Sequence, residues 1–259
     1  MEQRKLEEMS FHDTRERLRL TQSPEEYEAR YSNLKWYSTT ERSHAFLDQW
    51  IARTSPNKTI LDYCCGLGHM SLRFAHAGAT VYGIDISPES IATARNTLQA
   101  AGLQDRCHFQ VMDAENMTFP DDMFDVVMCS GVLHHLDVSK AFRELSRVLK
   151  PSGIVIAAEA LGYNPVIRAY RKRTPALRTS WEPDHILRLR DIKTAKKYFT
   201  GVDIHYFHLF SILATPFRKT RVFRPILRMM NALDAVTLKI PGVQLMAWQM
   251  IFFLRGPRK

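Results

Sequence analysis

Between residues 59 and 159, short apolar runs alternate with segments of helical periodicity. The run Thr59-Ile-Leu-Asp-Tyr63 has the length and composition of a buried strand, and a glycine-containing turn and a helical pattern over 70–77 follow it. The same order recurs downstream: a strand at 80–85 and a helix at 88–101, strands at 106–112 and 124–129, a helix at 138–149 and a strand at 153–159. Ser87 stands where an N-cap belongs, with Pro88 at the first helical position. Lys150-Pro-Ser-Gly153 is expected to end the preceding helix and turn the chain. Strand and helix alternating in this way predict an α/β fold, a mostly parallel sheet with helices on both faces.

The flanks follow other patterns. Residues 1–57 read as a helical cap: a charged opening helix, a short one at 24–30, and one at 40–53 with Phe46, Leu47, Trp50 and Ile51 at helical spacing. The remainder, 58–259, reads as one α/β domain carrying a helical insertion at 160–203 and a basic helical insertion at 215–242. Apolar segments near 204–210 and 246–254 are further strand candidates.

Composition narrows the class. With 259 residues, 45% hydrophobic and 24% charged, the chain is globular rather than disordered. A chain of this length can bury about 70–75% of its unfolded surface, enough for a full core without disulfides. The opening Met1-Glu-Gln-Arg-Lys-Leu-Glu-Glu lacks the apolar centre of an export signal, and the best apolar run, 245–254, is too short to span a bilayer. A cytoplasmic location, with association at a membrane surface as an option, is the expectation. Cys64, Cys65, Cys107 and Cys129 form no C-x-x-C pair and have no histidine at zinc-site spacing, so buried thiols and no metal are expected.

The net charge of +9 is unevenly spread. Residues 1–159 hold 17 basic and 22 acidic side chains; residues 160–259 hold 19 and 5. That asymmetry predicts an anionic partner for the C-terminal part, whether phosphate, lipid surface or nucleic acid.

Candidate chemistry centres on Ile60-Leu-Asp-Tyr-Cys-Cys-Gly-Leu-Gly68. Small residues after a first strand let backbone approach a ligand, and the next helix offers free N–H groups. Asp85 ends the second strand, where a carboxylate can accept ribose hydroxyls, and Asp113 follows the third. Ser130-Gly-Val-Leu-His-His135 follows the fourth, at the sheet edge where open α/β folds bind ligands. A dinucleotide dehydrogenase would need a third glycine where Ser71 stands, which disfavours that reading.

In Leu61-Asp-Tyr-Cys-Cys-Gly-Leu-Gly68, Gly83-Ile-Asp-Ile-Ser-Pro88, Met112-Asp-Ala-Glu115, Phe124-Asp-Val-Val-Met-Cys-Ser-Gly-Val-Leu-His-His135 and Arg147-Val-Leu-Lys-Pro-Ser-Gly153, the chain resembles class I S-adenosylmethionine-dependent methyltransferases of the small-molecule kind. The resemblance covers about 59–159. It implies a Rossmann-like, seven-stranded sheet with an antiparallel last strand, making 204–210 and 246–254 strands six and seven. It further implies S-adenosylmethionine as cofactor. Asp62, Cys64, Gly66 and Gly68 would cradle its methionine portion, Asp85 and Ile86 its ribose, and Asp113 with Ala114 its adenine; Ser130 belongs to the same set. The family usually has glycine at the position of Cys64, so a backbone φ below zero is expected there. Its expected role is a small residue packed in the loop rather than a thiol activated by the helix N-terminus. In relatives, N-terminal helices close over the cofactor, which would bring Tyr31 or Tyr37 against it and Arg42 to its carboxylate.

Methyl transfer from a sulfonium is an in-line displacement, and a base is needed only where the nucleophile must lose a proton. His134, His135 and Glu159 are the candidates, with His134 preferred because adjacent histidines opening a helix cannot both face a ligand. The segment after strand five interleaves Arg168, Arg171, Lys172, Arg173 and Arg178 with Tyr170, Trp181 and His185, which suits an amphiphilic acceptor with an anionic group. The expected function is methyl transfer to a hydrophobic small molecule, lipid-like, isoprenoid or secondary metabolite. The alternatives are a noncatalytic cofactor-binding scaffold and a nucleic-acid or peptide methyltransferase. Nucleic acid is disfavoured because Ser130-Gly-Val-Leu replaces an N-P-P-Y type motif. The basic and apolar residues of 217–240 fit peripheral membrane contact, a lid or a homo-oligomer interface.

Overall fold

A computed structural model describes residues 2–259; Met1, the first residue of the expected cap, lies outside them. Seven strands form one sheet in the order β3-β2-β1-β4-β5-β7-β6. They are β1 (Thr59–Tyr63), β2 (Thr80–Asp85), β3 (Cys107–Val111), β4 (Phe124–Ser130), β5 (Leu149–Ala160), β6 (Phe199–Phe207) and β7 (Gln249–Pro257). β7 runs antiparallel to both its neighbours, and the pairs among β1 to β5 are parallel. This is the expected Rossmann-like sheet with an antiparallel last strand.

Alternation along the strands divides the core in two. In β4, Val127 and Cys129 face one layer, while Val126 and Met128 face the other. β7 does the same with Met250, Phe252 and Leu254 against Ile251 and Phe253. The first face is covered by α6 (Val138–Val148) and α9 (Leu189–Ala195). The second is covered by α3 (Glu41–Thr54), α4 (His69–His76) and α5 (Pro88–Ala100). Strands buried on both faces read as unbroken apolar runs, which is why they stand out in the sequence.

Two expected boundaries need correction. The turn expected at 150–153 is strand: Leu149 pairs with Phe124, and the register shifts before Ile154 pairs with Val126. Gly153 belongs to this irregularity, since a Cβ there would lie 2.8 Å from the buried Leu149 side chain. The strand expected at 204–210 begins at Phe199, so residues 199–203 belong to the sheet and not to the helical insertion.

α1 (Gln3–Thr21) and α2 (Pro24–Arg30) lead through a 3-10 segment, Ser32–Thr39, into α3. The insertion after β5 contains α7 (Pro165–Arg173), α8 (Glu182–His185) and α9, and α10 (Phe223–Thr237) lies between β6 and β7. Among the described residues, no helix is long and apolar enough to cross a membrane.

Candidate active site

The chain changes winding direction between β1 and β4, opening a crevice at their carboxyl ends. The loop after β1 enters it in a left-handed conformation, with φ of 56° at Cys64, 50° at Gly66 and 78° at Gly68. Cys64 therefore departs from the expected negative φ. For a residue with a Cβ this costs about 1–2 kcal/mol, held in place here by the Cys65 N–H bond to Ile84 O at 2.7 Å. Burial, with Asp85 beside it, raises the Cys64 thiol well above its usual range, the opposite of activation. The two glycines differ. A Cβ on Gly66 would meet open space, whereas one on Gly68 would lie 3.1 Å from Ala94 Cβ, so Gly68 lets α4 approach α5. Asp62 is likewise placed beneath the loop: its buried carboxylate accepts from Ser71 Oγ at 2.6 Å, and burial pushes its pKa up to about 6.

Asp85 stands at the end of β2, its carboxylate accepting from Gly66 N and Ser87 N, both at 2.9 Å. Burial raises its pKa despite those two donors. Ile86 follows it, half-buried. Asp113 lies after β3, where its carboxylate accepts from Glu115 N and from Lys5 Nζ of α1 at 2.7 Å. Ala114 is buried, its carbonyl held by Tyr63 Oη at 2.7 Å.

The strongest geometry is at the ends of β4 and β5. Glu159 Oε1 accepts from the N–H groups of Val132 and Leu133, both at 2.8 Å, and Oε2 lies 2.8 Å from His134 Nδ1. A carboxylate only accepts, so Nδ1 carries the proton and Nε2 is left as the basic nitrogen. Burial and the neighbouring His135 lower the pKa of His134, keeping it neutral at pH 7. His135 behaves differently: burial pulls its pKa down, but Glu8 Oε2, 3.0 Å away, outweighs this and raises it. The two adjacent rings are thus shifted in opposite directions, the separation expected of an acid/base pair.

His134, His135, Glu159 and the exposed Ser130 line a cavity of about 840 Å³. Its walls include Trp36, Tyr37, Leu47 and Trp248, together with Arg15, Arg171, Arg173 and Arg178. Phe11, His12 and Arg15 of α1 close it from above. The donors of Glu8, His12 and His135 fall within 4.8 Å of one another, as do those of His134, His135 and Glu182, a grouping that a cation could share. Each group already has protein partners, Glu8 with Thr179 and His135, and Glu182 with Arg171 and Arg178.

A family model described as a methyltransferase domain matches residues 61–157. The chain is 33% identical over 129 residues to the uncharacterized methyltransferase YcgJ of Bacillus subtilis, covering 49% of each chain. It is 36% identical over 132 residues to the 2-phytyl-1,4-naphtoquinone methyltransferase of Nostoc punctiforme, covering 48% of this chain and 56% of that protein. Residues 61–157 are thus a methyltransferase domain of the class I S-adenosylmethionine-dependent kind. The chain spans about half the length of these curated relatives. Among solved structures, the [4+2]-cyclase SpnF superposes with a TM-score of 0.56 at 23% identity, covering 82% of this chain and 80% of that one. That likeness shows the fold, and the fold does not by itself fix the reaction.

The loop of this domain leaves room for the family's cofactor in the open space over Gly66. Asp85 would hold its ribose, and Asp113 would meet its adenine in competition with Lys5. Two expected contacts fall elsewhere. Arg42 points away from the crevice, its Nη1 donating to Asn231 O of α10 at 2.9 Å. Tyr31 is buried against Tyr27 and beneath Arg15, so Arg15 and not Tyr31 reaches the cavity. The sequence reading missed α1 as a source of site residues. Glu8, His12 and Arg15 share one face at spacings of four and three, but that stripe is charged and a search for apolar periodicity passes over it.

Proposed function

We propose that this methyltransferase transfers the methyl group of S-adenosylmethionine to a hydrophobic small molecule bearing an anionic group and a nucleophile that must lose a proton. The His134–Glu159 pair carries the reading. Its neutral imidazole lines the cavity, oriented by a carboxylate that is itself fixed by two backbone donors. S-adenosylmethionine supplies the electrophilic methyl group. His134 Nε2 takes the proton from the acceptor as its nucleophile attacks, and Glu159 steadies the imidazolium that forms. Apolar and aromatic walls receive the acceptor's body and exclude water. Arg171 and Arg178 share one oxygen of Glu182, at 3.0 and 3.1 Å, so the wall holds more positive than negative charge and favours an anionic substituent. The quinone-directed relative from Nostoc, named for an acceptor with an isoprenoid chain, supports a lipid-like acceptor.

The test uses methyl-labelled S-adenosylmethionine with prenylated naphthoquinols and long-chain phenols, with and without a carboxylate or phosphate, counting label in the organic extract. Label should enter the anionic amphiphiles most efficiently. His134→Gln should lower kcat by about 10²–10⁴-fold with KM little changed. Because the base works only when neutral and its pKa is lowered, wild-type activity should rise with pH through a midpoint below 6.5 and then level off. Label entering only peptide or nucleic acid, or a His134→Gln enzyme of full activity, would overturn the proposal.

A further inference from the structure

α10 is attached the wrong way round for a helix that faces water. Its buried side carries Leu227, Asn231 and Asp234, while Met229, Leu233 and Val236 point outward at 59%, 42% and 66% exposure. At 3.6 residues per turn, 229, 233, 236 and the following Ile240 form a single stripe opposite the buried one. Polar anchors hold the inner side. The Asp234 carboxylate accepts the N–H groups of Leu209, Phe210 and Ser211 at 3.2, 2.6 and 3.2 Å, and Asn231 Nδ2 donates to Glu41 at 2.9 Å. The outward apolar stripe is therefore left largely to solvent. It continues onto the 3-10 segment Ser211–Phe217, where Leu213 and Phe217 are also exposed.

Charge identifies what covers this face. Residues 211–249 contain six basic side chains and one acidic residue, the buried Asp234. Arg221, Arg224, Arg228 and Lys239 are exposed, and at helical spacing they lie along one flank of the stripe. Glu28 and Glu41 pair with Arg218 and Arg224, and the balance stays positive. An exposed apolar stripe beside a row of basic side chains is the pattern of a helix lying in the headgroup region of an anionic bilayer. A second copy docked through the same face would set these cations against their own equivalents.

We propose that α10 and the Ser211–Phe217 segment dock this protein on an anionic membrane surface, with the mouth of the cavity beside the bilayer. Ile212 lines the cavity next to the exposed Leu213. Trp36, also in the cavity wall, packs edge-on to Tyr170 of α7, whose Val166 lines the cavity at 71% exposure. Exposed apolar side chains thus stand both at the cavity, on α7, and beside it, on the docking segment. The docking surface stands independently of the catalytic reading; the role of the mouth rests on it.

The full chain is sedimented with vesicles of phosphatidylcholine alone and with vesicles rich in phosphatidylglycerol, at low and high salt. Binding is expected to the anionic vesicles, weakening with salt. Leu233→Glu with Val236→Glu, and separately Arg221→Glu with Arg228→Glu, should each reduce it by about tenfold or more. Both pairs are exposed, so melting temperature and S-adenosylhomocysteine binding should match wild type, which separates failure of docking from failure of the catalytic reading. Three results would overturn the proposal: no binding to anionic vesicles at low salt, equal binding by both variants, or a vesicle-free dimer abolished by the Leu233/Val236 variant, which would assign the face to a second copy.

Discussion

β7 and α1 are both tied to the body of the molecule, and they are held by opposite chemistry. β7 buries Met250 to Leu254 without interruption between two apolar layers. α1 turns Lys5, Glu8 and Glu16 inward and leaves Leu6 and Leu20 exposed. Its buried face is a ladder of polar contacts: Arg4 and Lys5 to Glu115 at 2.5 and 2.9 Å, Glu8 to Thr179 at 2.6 Å, Asp13 to Ser87 at 2.5 Å, and Glu16 to Thr93 at 2.9 Å. Apolar burial gives the sheet its stability, at roughly 25 cal/mol per Å². Paired charges contribute little net stability, but they fix direction and register. The sheet is accordingly the scaffold, and α1 is the part that shapes the site above it.

The largest effect should come from the sheet. Phe252→Ala removes a fully buried ring from β7 and should destabilise the fold by about 3–5 kcal/mol in denaturant titration. A loss below about 1 kcal/mol would mean that the layers are less tightly packed than the burial implies.

Acid should act on the polar joints. His208 is buried between Ser43 Oγ and Ser211 Oγ, at 2.9 and 3.1 Å, and burial lowers its pKa to about 3. Below the unfolded value of 6.5, the unfolded chain takes up a proton that the folded one refuses. Stability is therefore complete above about pH 6.5 and falls as the pH drops toward 3. The loss from His208 is roughly 2–3 kcal/mol by about pH 4.5. His208→Asn should flatten this slope in urea titrations run across that range, and an unchanged slope would assign it elsewhere.

A smaller effect should separate the two regions most cleanly. Salt screens exposed and half-exposed ion pairs and leaves apolar burial intact, so amide exchange in α1 should quicken severalfold between low and about 1 M salt. Exchange in β4 and β7 should stay constant or slow. Equal responses would remove the distinction.

The same contrast explains what the sequence made legible. Strands buried on both faces announce themselves as apolar runs, and β1 and β2 begin and end where the pattern placed them. Asp85 and Asp113 stand out in the sequence because each closes or follows a strand, and the structure places them at those strand ends. His134, His135 and Glu159 stand in the sequence as separate candidates, but no spacing shows that Glu159 fixes His134 while Glu8, from more than a hundred residues away, raises the pKa of His135. The charged inward face of α1 was hidden because amphipathic analysis looks for apolar stripes. The α10 stripe was visible, but whether it faced in or out depended on polar anchors at Asn231 and Asp234 that no periodicity records. The left-handed φ of Cys64 was missed because a residue with a Cβ gives no sign of tolerating it.

The assignment of the carboxyl edge under α1 as the cofactor site is tested most directly by calorimetric titration with S-adenosylhomocysteine, comparing wild type with Asp85→Asn. One molecule should bind per chain. The variant, which loses charge-assisted bonds to the ribose worth about 1.5–3 kcal/mol, should bind roughly 10–100-fold more weakly while remaining folded. No heat of binding in the wild type, or equal affinity in the two proteins, would contradict that assignment.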